Sequence, residues 1–308
     1  MVKWGVFSIL ILFASSAYSS SSAVCRSIFD DGYKVQTYVR EYNPQARKTI
    51  VLLHGLTESS KTMEALAKLL SRRYNVLSFD MYGHGRYFDE TPEDIGIIDY
   101  KSNVENIRSY LEGRGIKNPI IIGHSYGGAI AFELAQKLAS KPSRVILLTP
   151  YVQRLDKLFV TMVRSSMPWL PSAFGDAISE PYINEFITQR YKEKFLRQMG
   201  KRYSDLTNQE KAYLNKKIKL TIATIRGIRE FDLLKLNEPI PWDDQIPLTV
   251  VGAENDDLVP ARQLEHLVQR LQDKQATIQF EPGLDHNFPL NSPERTLEIL
   301  EKILGVFH

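Results

Sequence analysis

Short, apolar, β-branched runs alternate with segments of helical periodicity along most of the chain, and this alternation restricts the choice of fold more than any other property of the sequence. Strands are predicted at residues 35–39, 49–53, 75–79, 119–122, 144–148, 248–251 and 276–280. Helices are predicted at residues 59–71, 99–111, 129–138, 260–271 and 293–304. Apolar strands that alternate with helices are typical of a mostly parallel sheet with helices on both faces. The sequence therefore predicts an α/β protein.

The alternation is interrupted between residues 151 and 240, where no strand pattern is present. Apolar residues there recur at helical spacing, in one stripe over 155–163, a second over 186–195 and a third over 213–225. Prolines at positions 168, 171 and 181 separate the helical runs. We therefore expect one α/β core made of residues 24–150 and 241–308, with residues 151–240 inserted into it as a helical segment.

The first 23 residues have the pattern of a secretory signal peptide. Lys3 supplies a positive charge, an apolar run extends from Trp4 to Ala14, and a tract of small residues follows. Small residues at the required spacing allow cleavage after Ala17 or after Ala23, and we favour Ala23. A buried N-terminal helix is the alternative, but a serine-rich tract extends a helix poorly. The sequence therefore predicts an exported protein, periplasmic or secreted, that has lost residues 1–23.

Composition excludes several classes of site. The 39 Lys and Arg residues against 36 Asp and Glu residues leave a net charge of +3 without a basic block, so nucleic acid is not an expected partner. Cys25 is the only cysteine, which rules out an internal disulfide and a zinc site built from cysteines. We interpret Cys25 as an inert thiol, with lipid attachment as the alternative. No run reaches the roughly 20 apolar residues that a bilayer span needs.

A Gly-x-Ser-x-Gly pattern at residues 123–127 provides the first sign of chemistry. It lies between the strand predicted at 119–122 and the helix predicted at 129–138. In that context the pattern predicts a sharp strand-to-helix turn that raises the Ser125 hydroxyl above the edge of the sheet. Glycines are expected at both flanking positions because a Cβ would collide across so tight a bend. Ser125 is therefore a candidate nucleophile, and a purely structural turn serine is the weaker alternative.

A serine nucleophile needs a general base, and the base needs an acid to orient it. Of six histidines, His286 lies between the last predicted strand and the last predicted helix. The other five lie beside turn glycines, within a predicted helix or at the last position: His54, His84, His124, His266 and His308. The acid is sought in the loop after Val251, which contains Asp256. Because parallel strands open their carboxyl ends on one edge, we expect Ser125, Asp256 and His286 to meet there.

Together these motifs resemble the α/β-hydrolase superfamily, and within it the lidded monoacylglycerol-lipase and lysophospholipase-like members. The matching pieces occur in family order along nearly the whole mature chain: His54-Gly55-Leu56, Asp80-Met81-Tyr82-Gly83-His84-Gly85, Gly123-His124-Ser125-Tyr126-Gly127-Gly128, Gly252 to Pro260, and the loop of His286. The resemblance implies an eight-stranded-type, mostly parallel α/β-hydrolase sheet with a helical lid, residues 151–240, after the sixth strand. It also implies an oxyanion hole formed by the backbone N–H groups of Leu56 and Tyr126.

The resemblance further implies a serine hydrolase that cleaves a carboxylic ester with an apolar acyl chain, through a triad of Ser125, His286 and Asp256. The family pattern has the acid, two variable residues and then Val-Pro, which selects Asp256 and leaves Asp257 as a turn or helix-cap residue. This chemistry requires neither a metal nor an organic cofactor. The expected partner is a small-molecule or lipid-like ester.

The chain departs from the family pattern at two places. Arg86-Tyr87 follows the Gly-His-Gly turn, where the family usually has a small residue. Asp285 precedes the candidate base, where the family commonly has glycine. We expect both departures to reshape the rim of the pocket, and Asp285 to add a negative charge beside His286 if its carboxylate faces the ring.

The sequence leaves several alternative functions and surface contacts open. An amide, thioester or C–C bond hydrolase, an acyltransferase or a perhydrolase would use the same residues, and a non-catalytic ligand-binding protein could share the fold. A serine nucleophile argues against the epoxide-hydrolase and dehalogenase relatives, which have aspartate at that position. Basic residues of the expected lid fit either a transient contact with an anionic membrane surface or, as we favour, a solvated helix face: Lys192, Lys194, Arg197, Lys201 and Arg202.

Overall fold

Eight strands form a single sheet in the computed structural model, in the order β1-β2-β4-β3-β5-β6-β7-β8. The strands are β1 (Ser21–Ile28), β2 (Lys34–Tyr42), β3 (Thr49–Leu53), β4 (Asn75–Phe79), β5 (Ile120–His124), β6 (Arg144–Leu148), β7 (Leu248–Ala253) and β8 (Ala276–Glu281). Strand β2 runs antiparallel to β1 and β4, and all other neighbours are parallel. The structure describes residues 21–28, 34–153, 184–229 except 186, 190, 194 and 198, and residues 231–234, 240–271 and 276–305.

Helices cover both faces of this sheet. The helices with defined bounds in the described part of the chain are α1 (Glu64–Leu70), α2 (Tyr87–Glu90), α3 (Tyr100–Gly113), α4 (Tyr126–Lys137), α5 (Asn208–Gly227), α6 (Ala261–Arg270), α7 (Phe288–Asn291) and α8 (Pro293–Leu304). Because side chains alternate along a strand, Val51 and Ile121 pack with α3, α4 and α6, whereas Leu52 and Ile122 pack with α1 and α8. The two apolar layers explain why the central strands are continuous apolar runs. The predicted α/β-hydrolase sheet is confirmed.

Strand β1 was not predicted from the sequence. Its first residues, Ser21 to Ala23, pair with Val39 to Glu41 of β2 and overlap the end of the expected signal peptide. Cleavage after Ala17 would leave all eight residues of β1, whereas cleavage after Ala23 would remove the first three.

The segment between β6 and β7 is helical at every described position from 184 to 199, followed by a 3₁₀ turn at Tyr203–Asp205 and by α5. Helix α5 begins earlier than predicted because Thr207 and Glu210 form a reciprocal capping box ahead of the apolar stripe. It docks on the loop before α3, where the Ile98 N–H donates to the Ala223 carbonyl at 3.0 Å. The helical stripe expected over 155–163 lies outside the described residues.

In the part of the chain that the structure describes, helices are either too short or too polar to span a bilayer.

Candidate active site

Ser125 occupies the turn between β5 and α4, and its backbone is strained. Its φ of 50° and ψ of −115° fall where non-glycine residues rarely lie. The turn closes because its flanks are glycines. A Cβ on Gly123 would lie 2.2 Å from the Gly127 carbonyl oxygen, and one on Gly127 would lie 2.5 Å from the His54 carbonyl oxygen. The strand-to-helix turn expected from the sequence is therefore present.

Main-chain hydrogen bonds hold Ser125 from several directions. Its N–H donates to the Leu148 carbonyl at 3.0 Å. Its carbonyl accepts from the N–H groups of Gly128 at 2.8 Å and Tyr151 at 2.9 Å. The backbone is thus tied to β6, to α4 and to the start of the segment that follows β6. Because a surrounding structure must over-determine a strained residue for it to persist, these bonds fix the direction of the side chain.

The three residues predicted for a triad lie in one hydrogen-bonded chain. The Ser125 Oγ lies 2.9 Å from His286 Nε2, and His286 Nδ1 lies 2.9 Å from Asp256 Oδ2 and 3.1 Å from Asp256 Oδ1. The side chains of His286 and Asp256 are 5% and 1% exposed, while Ser125 is half-buried. The imidazole can therefore donate from Nδ1 to the carboxylate and accept the Ser125 hydroxyl proton at Nε2.

The loop after β7 distinguishes Asp256 from its neighbour. The Asp256 Oδ1 accepts from the N–H groups of Leu258 and Val259, both at 2.8 Å, so the carboxylate is held by its own turn. Asp257 is exposed and lies in the bend. Helix α6 begins after Pro260 without a side-chain cap. The expectation that Asp257 is a turn residue agrees with this geometry.

Tyr87 and Asp285, at the two departures from the family pattern, each form hydrogen bonds away from the candidate base. Tyr87 is buried, and its hydroxyl accepts from Asn106 Nδ2 at 2.9 Å, so it belongs to the core rather than to a pocket rim. The Asp285 carboxylate accepts from the N–H of Asn287 at 2.9 Å and from Asn291 Nδ2 at 3.3 Å. Its hydrogen bonds therefore stabilise the turn that leads into α7 rather than contacting the imidazole.

The two residues predicted for an oxyanion hole come from adjacent segments. Tyr126 is the first residue of α4, and its N–H is one of the donors that a helix start leaves without an intrahelical acceptor. Leu56 follows Gly55 in the loop after β3. A Cβ on Gly127 would also lie 2.5 Å from the Leu53 carbonyl oxygen, so the start of α4 lies against the end of β3. This packing brings the segments of Leu56 and Tyr126 together.

Two buried histidines near the site are neutral and structural, as the sequence suggested. His54 Nε2 accepts from the Met81 N–H at 3.1 Å while its Nδ1 donates to the Gly55 carbonyl at 2.8 Å, and burial lowers its pKa. His84 Nδ1 donates to the Tyr82 carbonyl at 3.1 Å, and burial lowers the pKa of His84 to about 3. Both side chains hold the turns that follow β3 and β4.

Sequence reasoning missed Glu58 and took His124 for a turn residue. Both are buried, at 7% and 1% exposed, and His124 Nδ1 lies 3.2 Å from Glu58 Oε2. His124 Nε2 lies 2.9 Å from the main-chain carbonyl oxygen of His286, which also accepts from Thr149 Oγ1 at 3.1 Å. The only signal in the sequence was an acidic residue four positions after His54, in the loop that follows β3.

The two residues of this buried pair favour each other's charged forms. Burial is the largest single effect on the pKa of each residue, and it disfavours the charged form of both. The charge and hydrogen bond of His124 nevertheless lower the pKa of Glu58 to about 2. In turn, Glu58 raises the pKa of His124 above its ordinary value of 6.5.

Comparison with known proteins identifies the fold and the family. The esterase from Thermogutta terrifontis superimposes with a TM-score of 0.63 at 15% identity, over 92% of this chain and 98% of that one, a likeness that shows the fold. Lipase LipV from Mycobacterium tuberculosis is 29% identical over 118 residues, which is 38% of this chain and 43% of that protein. Esterase YbfF from Escherichia coli is 26% identical over 134 residues, which is 42% of this chain and 50% of that protein.

The chain thus matches at most half the length of these two relatives. A family model described as "Alpha/beta hydrolase family" matches residues 50–299, which extends from β3 into α8 and includes Ser125, Asp256 and His286. The protein is a member of the alpha/beta hydrolase family.

Proposed function

We propose that the protein is a serine hydrolase that cleaves a carboxylic ester with an apolar acyl chain through an acyl-enzyme. The observation that carries the proposal is the hydrogen-bonded chain from Ser125 through His286 to Asp256, at a strained turn on the carboxyl edge of the sheet. The names of two relatives, a lipase and an esterase, support the ester as the substrate class.

In the proposed first step, Ser125 Oγ attacks the acyl carbon of the ester while His286 Nε2 takes the hydroxyl proton. The resulting oxyanion accepts hydrogen bonds from the N–H groups of Leu56 and Tyr126, each worth about 3 kcal/mol in such sites. The C–O bond of the ester then breaks, and His286 passes its proton to the leaving alcohol. The acyl group remains on Ser125.

In the second step, water attacks the acyl-enzyme and His286 takes a proton from it. The bond between the acyl carbon and Ser125 Oγ breaks, the proton returns to Oγ and a carboxylic acid leaves. The Asp256 carboxylate supports both steps because it holds the Nδ1–H tautomer and stabilises the imidazolium that forms. Its own hydrogen bonds to Leu258 and Val259 keep it in position.

The apolar acyl chain is inferred from the surroundings of Leu56. This half-buried side chain packs against the main core and also against a small apolar cluster that contains Ile187 and Ile225. Both isoleucines belong to the segment between β6 and β7. We infer that residues 151–240 form a lid over the site and that the lid supplies apolar walls for the acyl chain.

The basic residues of the proposed lid fit a solvated surface better than a membrane contact. Lys201 forms an ion pair with Glu210 at 2.5 Å, and Arg202 forms one with Asp205 at 3.2 Å. Lys192 Nζ lies 4.1 Å from the centre of the exposed Tyr203 ring. Since Lys192, Lys201 and Arg202 already have partners, we infer that the face is solvated. Lys194 lies outside the described residues. We also propose that the protein is exported through a cleaved leader.

A direct test compares Ser125→Ala with Ser102→Ala, a substitution on the exposed face of α3, on p-nitrophenyl esters of increasing acyl length. Ser125→Ala is expected to lose hydrolysis and labelling by a fluorophosphonate while keeping the melting temperature, because the change is small and local. Ser102→Ala is expected to behave as the unmodified protein. Ester hydrolysis that survives in Ser125→Ala would overturn the assignment of the nucleophile.

A further inference from the structure

A second pair of a carboxylate and an imidazole, Glu58 and His124, lies directly behind the proposed triad. We propose that His124 is held as an imidazolium at neutral pH by Glu58, and that this pair positions the main chain of His286 and the Leu56 loop relative to Ser125. The inference deepens the proposed function and rests on it. His124 and Glu58 are positioning residues in this scheme, since neither touches the reacting atoms.

The protonation state follows from the hydrogen-bond geometry. His124 Nδ1 faces Glu58 Oε2 at 3.2 Å, and Nε2 faces the His286 carbonyl oxygen at 2.9 Å. A neutral imidazole has one N–H and would leave one of these buried acceptors facing a lone pair, whereas an imidazolium donates to both. His54 provides the contrast within the same site, since its ring meets one donor and one acceptor and is satisfied as a neutral imidazole.

Taken together, the groups that face the His124 ring favour its imidazolium form. The Glu58 carboxylate contacts the ring, the Asp256 carboxylate also attracts its charge, and the His286 ring lies 5.3 Å away between centroids. His54, His84 and Tyr191 are further titratable groups near Glu58, and burial favours the neutral form of each. The pair carries no net charge, so the site gains a fixed dipole rather than an isolated buried ion.

One end of the pair holds the Leu56 loop. The Glu58 Oε2 accepts from the Gly55 N–H at 2.8 Å, and the Glu58 N–H donates to the Gly55 carbonyl at 3.2 Å, which closes the turn on which Leu56 lies. A Cβ on Gly55 would lie 2.9 Å from His124 Nδ1 and 3.0 Å from Glu58 Oε2, so the loop rests directly on the pair. A shift of Glu58 therefore moves the segment that carries the proposed Leu56 donor.

The other end holds the proposed base. His124 precedes Ser125 in the chain, and its ring donates a hydrogen bond to the main-chain carbonyl of His286. His124 is therefore joined covalently to the proposed nucleophile and by a hydrogen bond to the proposed base. Thr149 Oγ1 is the second donor to that carbonyl, from a residue with a φ of 41°. Loss of the His124 contact would leave a single donor to define the distance between His286 and Ser125.

The charge state is tested first, by ¹⁵N NMR of the histidine side chains in the full-length protein. His124 is expected to show two protonated ring nitrogens from about pH 6 to about pH 8, a range in which an unperturbed histidine titrates. The signal is assigned by its absence in His124→Ala. In Glu58→Gln, whose amide can donate to Nδ1, His124 is expected to become neutral. A neutral His124 in the unmodified protein would overturn the proposal.

The positioning role is tested by kcat per active site, with sites counted by fluorophosphonate titration of Ser125. Glu58→Ala and His124→Ala are expected to lower kcat per titrated site about tenfold or more, with KM nearly unchanged, because small misplacements of reacting groups are costly. Glu58→Gln is expected to restore only part of this loss, because an amide N–H that donates to His124 Nδ1 cannot also accept from the Gly55 N–H. A merely structural role would lower the melting temperature and the number of titrated sites but leave kcat per site unchanged.

Glu41→Ala is the matched control, because Glu41 is a buried carboxylate that pairs with Arg114 at 3.2 Å. Glu41 lies on β2, which β4 and β3 separate from the strand of His124. It is expected to lower the melting temperature without lowering kcat per titrated site. Unchanged kcat per site in both Glu58→Ala and His124→Ala would overturn the positioning role. Failure of the proposed function is distinguishable, since an unmodified protein that neither hydrolyses esters nor reacts at Ser125 still reports the charge of His124 by NMR.

Discussion

The Asp256 carboxylate lies 2.9 Å from Nδ1 of His286, a residue 30 positions later in the chain. The same carboxylate accepts two backbone N–H groups of its own loop, from Leu258 and Val259. The acid that orients the imidazole is therefore itself oriented by a turn, and it cannot rotate away from His286 without breaking both bonds.

We expect Asp256→Asn to lower kcat on the order of 10²–10⁴-fold, because the imidazole loses its orienting anion and adopts the wrong tautomer. Asp257→Asn is the matched control and is expected to cost less than about tenfold, since Asp257 is exposed in the bend. Steady-state kinetics of the two purified, folded variants decide between them. A larger loss in Asp257→Asn would reverse the assignment of the acid.

Residues that lie on regular, buried strands were predictable from the sequence. The bounds predicted for β3, β4 and β6 coincide with Thr49–Leu53, Asn75–Phe79 and Arg144–Leu148, because strands buried on both faces are continuous apolar runs. Strand β1 was not predictable in this way. It pairs only with β2 at the edge of the sheet, and its serines carry the pattern of a leader rather than of a strand.

The site shows the same division between local and tertiary information. Ser125 was predictable because its turn needs glycines at fixed offsets, which leave a local motif. Glu58 left no such motif, because a carboxylate in a loop between polar residues is expected to be exposed. Its burial depends on His124, which lies 66 positions further along the chain. A pair of this kind becomes visible only when the strands β3 and β5 are placed side by side.

Gly123→Ala is expected to destabilise the protein by about 1–3 kcal/mol or more and to abolish activity, because the new Cβ would overlap the Gly127 carbonyl oxygen. Gly113→Ala is the matched control, since a Cβ at that position meets no atom within 4 Å, and it is expected to be neutral or slightly stabilising. Urea unfolding of both variants measures the difference. An unchanged free energy of unfolding in Gly123→Ala would show that the turn can open without cost.

The buried pair predicts how stability depends on pH. The pKa of Glu58 is lowered in the folded protein to about 2 from 4.5, so its contribution is present above pH 4.5 and is lost as the pH falls through about 2. The pKa of His124 is raised above 6.5, so its contribution is present below pH 6.5 and is lost as the pH rises through the raised value. Both contributions are complete between pH 4.5 and 6.5.

The unmodified protein should therefore have a larger free energy of unfolding than Glu58→Gln, and this difference should be greatest between pH 4.5 and 6.5. The difference should shrink at lower and at higher pH. Denaturant unfolding of the two proteins at matched pH values measures this difference and cancels the groups that they share. A difference that is independent of pH between about 3 and 9 would contradict the ionised pair.

Ile225→Ala tests whether the segment between β6 and β7 supplies the acyl pocket. Ile225 is 4% exposed and packs with Ile187 in the cluster that contacts Leu56. Its truncation should widen the apolar wall and change the preference among p-nitrophenyl esters of different chain length. Turnover of the acetate ester should change little, because the triad lies on the sheet edge and not on the segment. Truncating a buried isoleucine costs about 2–5 kcal/mol of stability, so Ile299→Ala on α8, at a residue 1% exposed, serves as the control for destabilisation alone. If acetate turnover collapsed in Ile225→Ala but not in Ile299→Ala, the segment would have to help assemble the catalytic groups themselves and not only to line the pocket.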